Sequence, residues 1–218
     1  MSSKKINYTL PDSILLNSED SKLMIWQPEY SVIVIGQSNS PEKYVILDKA
    51  LLDGVSVMKR PSGGESVVLT PKMLVISLVL KRSKLPGSKD FFIKINNILI
   101  PILKQCGLQD VCYKGISDLA VDDKKILGSS IYRKPGMLFY HAVLNYGESP
   151  ETIASYLKHP AREPDYRKGR SHSEFVTSME NAGITASIPN LISKLEVELQ
   201  IILDNSEFPI KGDIKNAV

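Results

Sequence analysis

Lys59-Arg60-Pro61-Ser62-Gly63-Gly64-Glu65-Ser66 is the stretch on which the reading of this chain turns. It follows a short β-branched run (Val55, Val57) and precedes a longer one, Val67-Val68 and then 73–80. A glycine-bearing loop between two strands is therefore predicted. Adjacent glycines let the backbone reach positive φ and let a ligand approach the main chain. Successive N–H groups in such a turn form a concavity that suits an anion. Two cations precede it, and the Ser62 hydroxyl sits inside it. The stretch alone leaves two readings open, a hairpin turn with a charged shoulder or a site for a phosphate or carboxylate.

Working outward, Val32-Ile33-Val34-Ile35 is β-branched throughout and ends at Gly36, which predicts a buried strand. Residues 73–81 read as a second buried strand, and 55–59 as the strand leading into the loop. Helices are predicted over 12–26, 41–52, 90–106, 151–157, 175–183 and 188–203. Pro101 predicts a kink or break in the third of these. Residues 116–121, 125–132 and 137–146 are separated by turn signals at 122–124 and Pro135-Gly136, which predicts an antiparallel meander. Residues after 205 read as a loose tail. The fold class is α/β (α+β), with a single mixed, largely antiparallel sheet flanked by helices, and no linker divides the chain.

Composition narrows the function classes. The 218 residues are 43% hydrophobic and 23% charged, enough for a core without metal or disulfide staples. The formal charge of +3 is too small to argue for nucleic acid or a membrane surface as partner. No signal-peptide core follows Met1, and the longest apolar run, 73–80, falls far short of a bilayer span. Cys106 and Cys112 form no disulfide framework, and with His141, His159 and His172 they fit no zinc spacing. These features predict a cytoplasmic protein, or a mitochondrial-matrix one if the source is eukaryotic.

A second constellation lies in the meander. Lys125 opens a strand that then runs Gly128-Ser129-Ser130. Glycine and serine pack poorly inside a strand and make sense where a ligand lies against it. Lys125 then stands beside that ligand, or is a solvated lysine on a hairpin edge. The loop at 161–170 carries Arg162, Arg167, Lys168 and Arg170, either as a solvated loop or as a docking site for an acidic partner.

Taken together and in order, these segments resemble the catalytic domain of lipoate–protein ligases, within the biotin/lipoate protein ligase family. The resemblance runs from about residue 11 to 181. It rests on Val32 to Gly36 with Asn39-Ser40-Pro41, on the Arg60–Gly64 loop, on Ser117-Asp118-Leu119, on Lys125 to Ser130, and on Tyr140 to Leu144 with His141. It implies a class II synthetase-like fold and a single domain spanning 1–218, without the C-terminal accessory domain that many bacterial members carry. It also implies activation of lipoate or octanoate by ATP with Mg2+, and transfer to a lysine of a lipoyl domain. That acceptor would be a 2-oxoacid dehydrogenase subunit or a glycine-cleavage carrier protein, with an accessory subunit as a further partner.

Carried onto this chain, Arg60, Ser62, Gly63 and Gly64 would wall the acyl-adenylate pocket together with Asp118, Gly128, Ser129, Ser130 and His141. Lys125 would be the catalytic cation between carboxylate and α-phosphate, and Asp118 a metal ligand or an orienting group. Arg167 and Arg170 would dock the acceptor. Val34, Val57 and Leu78 are the predicted tunnel walls. Cys112 is the nucleophile of the alternative, an ATP-independent acyl transferase working through a thioester, with Lys114 as its cation. A lipoyl-binding protein without catalysis is the third reading. The chain departs from the family pattern at Gln37, Lys59, Glu65, Leu69-Thr70 and Ala142. At Glu65 the family has its third glycine.

Overall fold

The computed structural model describes residues 8–204. Its strands divide between two sheets. The larger sheet takes β1 (Lys22–Trp26), β5 (Met73–Lys81), β9 (Met137–Asn145), β8 (Lys124–Lys134), β7 (Asp118–Val121) and β6 (Cys112–Lys114), side by side in that order and antiparallel throughout. The smaller takes β3 (Ser56–Lys59), β2 (Val32–Ile35) and β4 (Val67–Leu69), with β2 parallel to β3 and antiparallel to β4. The α/β class and the meander are as predicted, but one sheet has become two. Which strands share a sheet depends on pairing between segments far apart in the chain, such as β5 with β9 and β2 with β4, which a pattern of apolar runs does not encode.

Alternation in β5 and β9 sets the layers. Leu74, Ile76, Leu78 and Leu80 face one side, with Leu138, Tyr140, Ala142 and Leu144 beside them. That side packs on α3 (Ser88–Gln105) and on α6 (Ile188–Asp204), whose Leu191, Leu195, Leu199 and Ile202 recur at helical spacing and are buried. Met73, Val75, Ser77 and Val79 face the other side, paired across with Asn145, Val143, His141 and Phe139. The small sheet lies over that face, and the functional residues collect between the two sheets.

Four predicted helices come out differently. Residues 12–26 form a 3-10 turn at Pro11–Asn17 and then β1. The polar run 18–21 interrupts the pattern, Ile14 stays 63% exposed, and Leu23 and Ile25 reach the core through strand alternation. Residues 41–52 split into α1 (Pro41–Tyr44) and α2 (Leu47–Leu52), because Val45 is taken into a bridge with Leu157. Leu51 and Leu52, expected to pack, point to solvent. α3 runs unbroken past Pro101. Pro101 and Asn97, whose carbonyl loses its partner there, are both exposed, so the unpaired carbonyl is not walled off from solvent. Residues 175–183 yield only the end of α5 (His172–Phe175). Beyond it Val176 bridges Lys125, and the N–H groups of Thr177, Met179 and Glu180 donate to Lys125, Asn145 and Tyr146. The predicted tail lies outside the described residues. Among the described residues no helix is long and apolar enough to cross a membrane.

Candidate active site between the two sheets

The glycine loop is fastened to the end of β2. The N–H of Arg60 donates to Ile35 at 3.0 Å, and that of Gln37 to Ser62 at 3.0 Å. Asn39 donates from its amide to the Gly64 carbonyl at 3.1 Å. Gly36 faces that same carbonyl so closely that any side chain at 36 would collide with it. Gly64 itself has φ +90°, a conformation that glycine adopts freely. Arg60 is the loop's internal strut. Its guanidinium donates to Ser62 Oγ (3.0 Å) and to the carbonyls of Val34 (3.3 Å), Gly63 (2.7 Å) and Glu65 (2.6 Å). Burial pushes its pKa down to about 10, so it remains a cation at neutral pH.

Ser62 is 1% exposed and sits at the junction of loop and sheet. Its Oγ lies 2.6 Å from His141 Nε2 and 2.8 Å from Ser130 Oγ, across from each other on β9 and β8. His141 is pushed down to about 3 by burial and then by the Arg60 charge, so the imidazole is neutral. Behind it Asp12, fully buried, accepts from Tyr8 (2.8 Å) and Ser77 (2.6 Å), with one oxygen 3.9 Å from His141 Nδ1. That proximity favours the tautomer with its proton on Nδ1, leaving Nε2 to accept from Ser62. Burial raises both Asp12 and Tyr8 above their ordinary values. The Tyr8–Asp12–Ser77 group was not legible from sequence, since its members come together only when β5 is paired and the chain start folds over it.

Lys125 is the second residue of β8 and lines the cavity between the sheets. Its Nζ lies 2.8 Å from Asp118 Oδ1, and Tyr166 donates to Asp118 Oδ2 at 2.9 Å. Asp118 thus holds the lysine with one oxygen and the 158–176 segment with the other. The lysine side chain folds back over Gly128: a Cβ there would lie 2.6 Å from Lys125 Cε and 2.7 Å from Nζ. This explains the glycine inside a strand more directly than a passing acyl chain does. Tyr166, like Asp12, carried no sequence signal, being 48 residues from its partner.

A cavity of about 230 Å³ opens between the sheets. Its apolar walls include Trp26, Val34, Leu69, Met73, Val75 and Val143. Its polar end is formed by Arg60, Gly64, Lys125, Gly128, Ser130 and His141, which therefore gather as a group. Ser62 and Asp118 stand just behind that wall, held by their hydrogen bonds. Gly63 is exposed on the loop's outer side. Of the predicted tunnel residues Val34 lines the cavity, whereas Leu78 belongs to the helix-facing core and Val57 packs against the cluster around Tyr44 and Tyr156.

Several predicted roles meet a different geometry. Ser129 shares its face with Ala142, and its hydroxyl is buried near Tyr140 on the helix side, so only its backbone reaches the cavity. Arg167 is 4% exposed and stacks on Phe175, with Nε donating to the Arg170 carbonyl; it is no surface docking residue. Arg170 is half-buried and spends its donors on the carbonyls of Asp123, Tyr166 and Arg167. Cys112 sits on the outer strand β6, away from the cavity lining, and Lys114 pairs with Asp123 at 2.8 Å. Among the described residues no group of three or more His, Cys, Asp or Glu could hold a metal ion.

Comparison with known proteins places this geometry. Residues 5–200 match the family model described as the lipoyl protein ligase A/B catalytic domain. Lipoate-protein ligase A of Psychrobacter cryohalolentis is 29% identical over 148 residues, covering 67% of this chain and 42% of the relative. The chain therefore spans about two fifths of the length of the curated relatives it matches. Among solved structures, a bi-partite lipoate protein ligase from Thermoplasma acidophilum, described with its E2 lipoyl domain, superposes with a TM-score of 0.74 at 19% identity, over 88% of this chain and 76% of that one. A lipoate-protein ligase A bound with ATP gives 0.70 at 21% identity, over 84% and 72%. At such identities the superpositions speak for the fold. With a family model matched over nearly the whole length and the motif residues gathered around one cavity, the chain belongs to the lipoyl protein ligase A/B catalytic-domain family.

Proposed function

We propose that the chain activates lipoate, or an acid of similar length, with ATP to an acyl-adenylate, releasing pyrophosphate, and transfers the acyl group to a lysine amine of a lipoyl domain, releasing AMP and a proton. The observation that carries this reading is Lys125, pinned over Gly128 by Asp118 in the lining of a largely apolar cavity. Joining a carboxylate to an α-phosphate brings two anions together and builds charge on the phosphorus oxygens. A fixed cation placed there offsets the repulsion and stabilises that charge, and losing such a group typically costs about 3 kcal/mol of barrier. Ser130, Gly64 and the Lys125 ammonium are the donors that would meet the oxygens, and the apolar walls would hold the chain. Asp118 already serves Lys125 and Tyr166, so its part is to orient rather than to anchor a metal. Mg2+ would come with the nucleotide phosphates, its usual mode of binding at such sites.

The relatives support the reading, being lipoate-protein ligases and, in one structure, a ligase bound with ATP. A lipoyl-domain acceptor is supported by the Thermoplasma system; a 2-oxoacid dehydrogenase subunit or a glycine-cleavage carrier is the acceptor we propose. The thioester route gains nothing from the geometry, because Cys112 does not line the cavity and Lys114, the cation it would need, is paired with Asp123. The test is the mass of an apo-lipoyl domain after incubation with this chain and lipoate. The reading predicts a gain of one lipoyl group with ATP and none without, unchanged in Cys112→Ala. A gain that needs no ATP and disappears in Cys112→Ala would replace the ligase with the transferase.

A further inference from the structure

Glu65 is the acidic residue of the glycine loop, and its carboxylate is turned inward. It lines the cavity, and its Oε2 is buried without a hydrogen-bond partner. Arg167 lines the same cavity from the 158–176 segment, is 4% exposed, and likewise keeps one NH2 nitrogen buried without an acceptor. The Glu65 charge acts on Arg167 and on Arg60. Arg60 donates to the Glu65 backbone carbonyl, yet among the described residues no ion pair or hydrogen bond joins the Glu65 carboxylate to either arginine. A buried carboxylate oxygen without a donor is costly. The field of two buried guanidinium groups is what makes it tolerable. That same field is the one an incoming anion would use.

We propose that Glu65 is the cavity's internal counter-ion: its carboxylate sits in the field of Arg60 and Arg167, and an anionic ligand group entering that field must displace it. The anion is the carboxylate of the acid or a phosphate of the nucleotide, and in naming these two the inference rests on the ligase reading above. Glu65 then sets a threshold. It weakens anion binding without touching ligands of the same shape that carry no charge. It also compensates Arg60 and adds to the pairing that Arg167 already has with Glu163, 3.5 Å from its Nε. Arg167, which the sequence pattern offered as a docking residue, becomes part of the pocket's charge balance instead.

The test is titration calorimetry on the full chain, its Glu65→Gln variant and its Glu65→Gly variant, each with ATP, adenosine, octanoate and octanamide. The inference expects both variants to bind at least one of the two anions about tenfold more tightly, the scale of one screened charge interaction. Binding of the matching neutral compound should stay within about twofold. Tightening confined to ATP assigns the site to phosphate, and tightening confined to octanoate assigns it to the carboxylate. Anions bound equally by all three proteins, or more weakly by the variants, would overturn the inference alone. A parallel loss of adenosine would show Glu65 to be a direct hydrogen-bond acceptor and would also overturn it. Absence of binding by either anion to any of the three proteins would overturn the inference and the ligase reading together. Glu65→Gln conserves shape and carries the test if Glu65→Gly does not fold.

Discussion

Lys125 owes its position to a residue with no side chain. Its stem occupies the space a Cβ on Gly128 would fill, so Gly128→Ala should push the ammonium aside without disturbing the core. We expect thermal midpoints within a degree or two of the parent and acyl-adenylate formation lowered by about tenfold to a hundredfold, since an ångström of misplacement is enough; turnover alongside a thermal melt checks this. His141 makes the second prediction at this scale. Its pKa falls from an ordinary 6.5 to about 3 in the folded chain. Below pH 6.5 the unfolded chain takes up a proton that the folded chain refuses, so the stability this residue contributes at neutral pH is lost as pH falls from 6.5 toward 3. Asp12, raised by burial, works in the opposite sense and softens the slope. His141→Gln should flatten the fall between pH 7 and 4.5 in denaturant melts, while an unchanged slope would place the titrating group elsewhere. Gly128, Ser130 and His141 were legible because strand pairing and alternation put them on one face. Lys125, an odd number of residues away, reaches that face through the irregular register between β7 and β8, which the sequence did not signal. Ser129 was misplaced because it is one residue out of phase with Gly128 and Ser130.

At the scale of elements the glycine loop behaves as a rigid lip rather than a flexible flap. Arg60 supplies that rigidity through a planar fork that reaches Ser62 and three carbonyls. Lysine keeps the charge and loses the fork. Arg60→Lys should therefore destabilise the chain by about 3 kcal/mol, the cost of a buried charge left short of partners, and speed proteolysis within 59–66; urea melts and a timed digest read both. The loop was found in the sequence as two glycines between strands. That its arginine turns inward was not, because that depends in part on the Val34 carbonyl of β2, 26 residues away. The helix predicted at 12–26 failed for a related reason. Four apolar residues fit a helical face and a strand edge equally well, and the open edge of β5 decided the matter.

For the whole molecule, the two sheets enclose an apolar slot whose mouth carries Lys158 and Arg162, both exposed, rather than the buried Arg167. On the ligase reading, we propose that the acceptor docks there. Arg162→Glu with Lys158→Glu should raise the KM for an acidic lipoyl domain about fivefold or more, with a steeper loss in low salt, and leave adenylate formation intact; initial rates at two ionic strengths distinguish this from a folding defect. Fold class, the meander and the family were readable from one chain, since they rest on local runs and ordered motifs. The division into two sheets and the charge balance around Glu65 were not, since they arise only where distant segments meet. The central claim is that Lys125 stabilises the joining of acid and nucleotide. It is tested most directly by acyl-adenylate formation, trapped as the hydroxamate, from ATP and lipoate without acceptor. We predict a burst of lipoyl-adenylate from the parent chain and a fall of about a hundredfold or more in Lys125→Ala, at nearly unchanged thermal stability. Full adenylate formation in Lys125→Ala would contradict the account.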